Sequence, residues 1–251
     1  MSRLKDKIAL VTGSSSGIGR AVAIAFAAER ADVIINYPDD TEAANANQVK
    51  AEVERFGGRA LTVRADVSIE AEARMLVELS LQRFGRLDVL VNNAGIATAA
   101  RIEEMPVSMW DQMLAINLRS VFLCTHFVLP IMYKQNYGKI ISTASQLAYK
   151  GAAGIAHYCA AKAAIIAFTR SLAHEIGTRD INANCVAPGA TETRLLASVG
   201  SETIETIKAA IPKGRLATVD DIAPAYVFLA SDESRHFVGQ CLSPNGGDVM
   251  L

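Results

Sequence analysis

Val11-Thr12-Gly13-Ser14-Ser15-Ser16-Gly17-Ile18-Gly19 decides how this chain folds. The apolar run Ile8–Val11 leads into it, and an alanine-rich stretch of helical character, 17–29, follows at once. Glycines allow a tight turn and let the backbone approach a pyrophosphate closely. The helix N-terminus then offers unpaired N–H groups at the positive end of its dipole. A glycine-rich turn that only packs strand on helix is the plainer reading of the same residues. Position directly after the first strand is the context that a dinucleotide loop requires.

Outward from that loop, short β-rich runs alternate with longer helical ones. Strands are predicted at 33–37, Ala60–Arg64, 89–91, 139–142, 181–187 and 240–243. Helices are predicted at 41–56, 69–84, 106–133, Ala156–Ile176, 202–210 and Val219–Ala230, with Pro130 ending or bending the third of these. Such alternation builds a mainly parallel sheet with helices on both faces. Right-handed crossovers make it doubly wound, of Rossmann type. No linker, repeat or low-complexity segment divides the 251 residues, so a single domain over 1–251 is expected.

Composition narrows the function. Hydrophobic residues make up 51% of the chain, enough for a large core. Lys+Arg 25 against Asp+Glu 26 gives a net charge of -1, which offers no general pull on nucleic acid or an anionic membrane. The run after the charged N-terminus is too short for a signal core, and no stretch approaches the ~18 apolar residues of a membrane span. Cys124, Cys159, Cys185 and Cys241 are scattered without a C-x-x-C pair, which reads as free thiols in a reducing compartment, hence the cytoplasm. The histidines are dispersed too, and His174-Glu175 lacks the second histidine of a zinc motif, so no metal site is expected.

Four motifs occur in order: Thr12-Gly13-x-x-x-Gly17-Ile18-Gly19, Asn92-Asn93-Ala94-Gly95, Tyr158-x-x-x-Lys162 and Pro188-Gly189. Together, over about 7–247, they resemble the short-chain dehydrogenase/reductase superfamily. The closest look is to its 3-oxoacyl-carrier-protein reductase branch, with sugar and polyol dehydrogenases near behind. The resemblance implies that Gly13, Ser15, Gly17, Ile18 and Gly19 line the cofactor phosphates and ribose. It puts Asp66 and Val67 beside the adenine, and Asn93 and Gly95 at the adjoining ribose. Thr191 and Thr193, after Pro188 and Gly189, would hold the nicotinamide amide. Tyr37 stands where an aspartate typically holds the ribose diol. Asp66 also fits a loop residue or cap, and Asn92 is read mainly as a tie between neighbouring strands.

Tyr158 and Lys162, four positions apart on a helical stretch, share one face. A tyrosine hydroxyl titrates near ~10, and a nearby ammonium should lower that value by stabilising the phenolate. The family pattern makes Ser145 the hydroxyl that polarises the substrate carbonyl, and Asn117 the holder of a water that links Lys162 to solvent. The implied reaction transfers hydride between NAD(P) and a carbonyl or secondary alcohol, with Tyr158 donating the proton. A 3-oxoacyl thioester is the leading substrate. The alternatives are a sugar, polyol or cyclic alcohol and, on the same fold, a dinucleotide-sensing regulator without turnover.

The cofactor choice leans to NAD(H): Asp39 and Asp40 after the second strand would repel a 2′-phosphate, although Asp39 and Glu42 also fit a helix capping box. Arg179 and Asn136 stand where the reductase branch carries arginines, and with Lys134 and Lys139 they would form a basic patch for an acidic acyl carrier protein. Gln146, Leu147, Tyr149 and 192–210 are expected to line or cover the substrate pocket. The small-residue stripe Ala160, Ala164, Ala167 and Ser171 fits either packing within the chain or a twin subunit, in a homodimer or homotetramer. Three departures from the family pattern stand out: Arg30 for a glycine, Ala144 for a serine, Asn245 for an aspartate.

Overall fold

Parallel strands buried on both faces should be apolar throughout, and the first one is: Ile8, Ala9, Leu10 and Val11 are all buried. The computed structural model describes residues 2–197 and 200–250. It contains a sheet of β1 (Ile8–Val11), β2 (Asp32–Tyr37), β3 (Ala60–Arg64), β4 (Val89–Asn92), β5 (Gly138–Thr143), β6 (Ile181–Val186) and β7 (Cys241–Leu242). The strands are parallel in the order β3-β2-β1-β4-β5-β6-β7.

The period of two along each strand divides the core into two layers. Ala9, Val11, Val33, Ile35, Val89 and Val91 face one side, against α1 (Gly17–Ala28), α2 (Ala43–Glu54) and α10 (Val219–Ala230). Ile8, Leu10, Ile34, Leu90 and Ile140 face the other, against α3 (Glu70–Phe84), α5 (Ser120–Gln135) and α7 (Ala156–Ile176). The chain reverses its winding between β1 and β4, so a crevice opens beyond the carboxyl ends of these strands, where such folds bind ligands.

The helix expected over 106–133 is not uniform. It divides into α4 (Val107–Leu114), a π turn at Ala115–Arg119, and α5. Pro130 neither ends nor divides α5, which runs on to Gln135 and stops at Asn136 in the left-handed region (φ 49°). Pro130 lies on an exposed face, where the carbonyl deprived of its N–H partner meets solvent. The whole run Val107–Gln135 is also long and apolar enough to cross a membrane by length and composition, contrary to expectation. Here Val121, Leu123, Cys124, Val128 and Met132 are buried, and α5 packs against α3, β4 and β5. Two more short helices, α6 (Leu147–Lys150) and α8 (Arg194–Ala197), precede α7 and α9 (Ser201–Ala210).

The capping box proposed for Asp39 and Glu42 does not form. Asp39 accepts from the Thr41 N–H (2.9 Å) and hydroxyl, while the Glu42 carboxylate turns to Asn45 (3.0 Å) and Arg194 (3.0 and 3.1 Å). Arg30 occupies its turn at φ 71°. Asn245 has a positive reason to replace an aspartate: its amide donates to the Val249 carbonyl (2.8 Å), which a carboxylate could not do.

Candidate active site

The loop after β1 is fixed from both sides. Thr12 Oγ1 accepts from the N–H groups of Asn93 (2.9 Å) and Ala94 (3.0 Å). Asn93 Nδ2 donates to the carbonyls of Thr12 (3.0 Å) and Gly13 (3.2 Å). Across the loop, Asn36 Oδ1 accepts from the Gly13 N–H (3.1 Å), and Asn36 Nδ2 donates to the Ala65 carbonyl (2.9 Å). A Cβ at Gly19 would collide with the Gly13 carbonyl oxygen and come within 2.5 Å of Asn93 Nδ2, so the turn needs glycine there. Asn92 lies behind, tying β4 to α5 through Thr125 (3.2 Å) and to β5 through Ser142 (3.4 Å). α1 begins at Gly17 with no side-chain cap from Ser16, so its first-turn N–H groups are open to an anion.

A cleft of about 500 Å³ runs along this wall. Of the residues predicted from sequence, Gly13, Ser15, Gly17, Ile18, Asp66, Val67, Asn93, Gly95, Asn117, Tyr158, Lys162 and Thr193 line it. Gly19, Tyr37, Ser145, Pro188, Gly189 and Thr191 are not among its lining residues. Tyr37 is the clearest correction: strand alternation turns it to the α1 side of the core, and Asn36, Pro38 and Asp39 form the wall instead. Thr191 is buried, its hydroxyl donating to the Gly189 carbonyl (2.9 Å). Sequence reasoning missed Asn36 and Glu42 as cleft residues, and missed that Glu42 pairs with Arg194 there. Glu42 and Arg194 are 152 positions apart and meet only in the fold.

At the far end, Lys162 is buried and donates from Nζ to the Thr143 carbonyl (2.8 Å), with Nζ 5.6 Å from the Tyr158 ring centre. Tyr158 hydrogen-bonds Ser145, which is buried beside it. The expected lowering of the Tyr158 pKa is not found. Burial pushes that hydroxyl above its ordinary 10, and the Ser145 hydrogen bond only partly opposes it. Burial also draws Lys162 down from 10.5 to about 8, which weakens the cation that was to do the lowering.

The π turn carries Asn117 into this end. Its Nδ2 donates to the carbonyls of Ile96 (3.0 Å) and Met113 (3.2 Å), while Oδ1 is buried with no hydrogen-bond partner. A Cβ at Gly95 would lie 2.5 Å from Asn117 Oδ1 and 3.5 Å from Lys162 Nζ, so the two groups share the space that this glycine leaves.

Around the substrate end, Gln146 is pinned by Asp248 (2.6 Å), and the Tyr149 hydroxyl bonds Cys241 instead of facing the cleft. Leu147 is half-buried at the start of α6. From the segment 192–210, Thr193, Arg194 and Leu195 reach the cleft; Ser198 and Val199 lie outside the described residues. The basic patch does not form at the cleft mouth. Arg179 and Lys134 precede β6 and β5, at the opposite edge of a sheet whose six-residue strands span about 20 Å. Asn136 is there too, and Lys139 is fully buried against Asn182 (2.5 Å).

The residues present fit a nicotinamide dinucleotide: open N–H groups at a helix start, a backbone cradle that tolerates no Cβ, and an orphaned acceptor beside a buried ammonium.

Comparison with known proteins agrees. A family model described as Enoyl-(Acyl carrier protein) reductase matches residues 13–248. A 3-oxoacyl-[acyl-carrier-protein] reductase of Synechocystis is 39% identical, with 100% of each chain covered. The (2S)-[(R)-hydroxy(phenyl)methyl]succinyl-CoA dehydrogenase subunit BbsD of Thauera aromatica is 37% identical over 97% of each chain. A short chain dehydrogenase from Burkholderia cenocepacia, solved in complex with NADP, superimposes with a TM-score of 0.91 at 35% identity, covering 98% of this chain and 99% of that one.

Proposed function

We propose a specific reaction on one premise: the chain belongs to the short-chain dehydrogenase/reductase superfamily, and it is an NAD(P)-dependent oxidoreductase acting on carbonyl and CH–OH groups. The reaction is reduction of a 3-oxoacyl thioester to the 3-hydroxyacyl product. One observation carries the reading: Tyr158, Ser145 and Lys162 meet at the end of the cleft that the glycine loop opens. The two relatives named above act, by their names, on acyl carrier protein and CoA thioesters.

A dinucleotide bound in this cleft would supply the hydride for the carbonyl carbon. Gly13, Ser15, Gly17 and Ile18 would hold its phosphates, Asp66 and Val67 the adenine, Asn93 and Gly95 the ribose adjoining it, and Lys162 the ribose at the catalytic end. Thr193, which faces Gly17 across the cleft, would hold the nicotinamide amide. Ser145 holds the substrate oxygen, and Tyr158 donates its proton to that oxygen as charge develops. The high Tyr158 pKa suits this acid role, since the hydroxyl keeps its proton until the oxygen claims it. Asn117 Oδ1 and Lys162 Nζ, facing one space, hold the water through which the proton is replaced.

NAD(H) is the proposed cofactor. Asp39 and Glu42 line the adenosine end, and the cations nearby are engaged: Arg194 by Glu42, and Arg64 by Asp40 (3.7 Å). The stripe Ala160, Ala164, Ala167 and Ser171 lies at the surface beside exposed Phe122, so we assign it to a twin subunit in a homodimer or homotetramer. The setting we expect is the cytoplasm.

The test is steady-state oxidation of NADH and NADPH with 3-oxoacyl thioesters on CoA and on acyl carrier protein, beside sugars and cyclic ketones. Thioester turnover favouring NADH supports the whole reading. A preference for sugars or cyclic ketones replaces the substrate. Cofactor binding without any turnover turns the reading to a regulator.

A further inference from the structure

The edge strand β7 is two residues long, and its register sets Cys241 against Cys185 of β6. Aligned residues on parallel neighbours send their side chains to the same face, with the strands about 4.8 Å apart. Both thiols accordingly enter one apolar cluster beneath α6 and α7, with Ala148, Tyr149 and Phe168. All four cysteines are free, and the strand register makes these two neighbours. Cys185 is buried, its thiol 3.1 Å from Thr169 Oγ1. Cys241 is half-buried and can be reached from solvent.

The surroundings distinguish the two. Cys185 and the Tyr149 hydroxyl hydrogen-bond the Cys241 sulfur, and the Arg170 guanidinium stands near; together they hold its thiol below the usual 9. Cys185, beside the Cys241 sulfur and desolvated, is pushed up. A partly exposed thiol in an electropositive, hydrogen-bonded setting is the reactive kind, and a protonated neighbour within reach can resolve it. Cys124 is the contrast: buried alone among hydrocarbon, it is pushed up to about 12.

We propose that Cys241 and Cys185 form a redox pair, in which a peroxide oxidises Cys241 and Cys185 resolves it to an intrachain disulfide across β6 and β7. In the first step the Cys241 sulfur attacks hydrogen peroxide. The O–O bond breaks, water leaves, and Cys241 becomes a sulfenic acid. In the second step the Cys185 sulfur attacks that sulfur; its proton and the sulfenic hydroxyl leave as water. The two thiols lose two electrons and the peroxide is reduced to two waters. The disulfide removes the thiol that Tyr149 bonds, on the short helix that follows Ser145.

The full-length protein is treated with hydrogen peroxide and its thiols are titrated after denaturation. The expected result is a fall from four thiols to two, a Cys185–Cys241 linked peptide on non-reducing mass mapping, and full recovery with dithiothreitol. Cys185→Ser should arrest at a sulfenic acid trapped by dimedone on Cys241. Cys241→Ser should form no disulfide. In the unmutated chain, which needs no variant to fold, iodoacetamide should label Cys241 on the order of tenfold or more faster than Cys124. A linked peptide between two chains through Cys241, a disulfide involving Cys124 or Cys159, or equal labelling of Cys241 and Cys124 would each overturn the proposal.

Discussion

The two walls of the cleft are made of different material. The dinucleotide wall is backbone: carbonyls and N–H groups of residues 12–19 and 92–95, stitched by Asn36, Asn93 and Thr12. The catalytic wall is side chain: a buried lysine bonded to a backbone carbonyl, a desolvated tyrosine, a buried asparagine with an unpaired oxygen. A backbone wall is sensitive to volume, because a Cβ added at Gly13 or Gly19 meets main chain. A side-chain wall is sensitive to charge and proton state, because each polar group there is held away from water.

Substitutions in each wall should act differently. Tyr158→Phe should give the largest effect, a loss of about 10²–10⁴-fold in kcat with cofactor affinity unchanged, read by turnover and by fluorescence titration of cofactor. Near-normal turnover would remove Tyr158 from the chemistry. Next is Lys162→Met, read by denaturant unfolding across pH. Lys162 is lowered from 10.5 to about 8, so between those values the unfolded chain binds the proton that the native one has lost. Stability of the unmutated protein should therefore rise as pH climbs through that window, by up to about 3 kcal/mol. The Met variant should lack that rise. Equal slopes would mean that Lys162 is not the desolvated group it is taken to be.

On the backbone wall, Gly19→Ala should weaken dinucleotide binding by about tenfold or more by forcing the Gly13 carbonyl from its place, with the Tyr158 ionisation unmoved. A control outside both walls is Thr218→Ala, which removes the hydroxyl of the α10 capping box (3.2 Å to the Asp221 N–H). It should lower Tm by about 2–4 °C without touching kcat. If Thr218→Ala changed turnover as strongly as Tyr158→Phe, the separation of fold from chemistry would be false.

The frame of the fold was legible in the residues alone. Local rules suffice for Ile8–Val11, for the glycine loop and for the helices Ala156–Ile176 and Val219–Ala230, whose bounds in the structure are the predicted ones. Tyr158 and Lys162 were legible because a spacing of four on a helix fixes one face, whatever surrounds it. The tertiary structure alone decided the rest. A single π turn, invisible in the hydrophobic pattern, buries Asn117. Strand register chose Asn36 over Tyr37 for the cleft and set Cys241 beside Cys185. Contacts 152 positions apart joined Glu42 to Arg194. The direction of the Tyr158 shift also waited on the fold: Coulomb attraction can be inferred from two nearby residues, but desolvation is a sum over everything packed around them, and here that sum is larger.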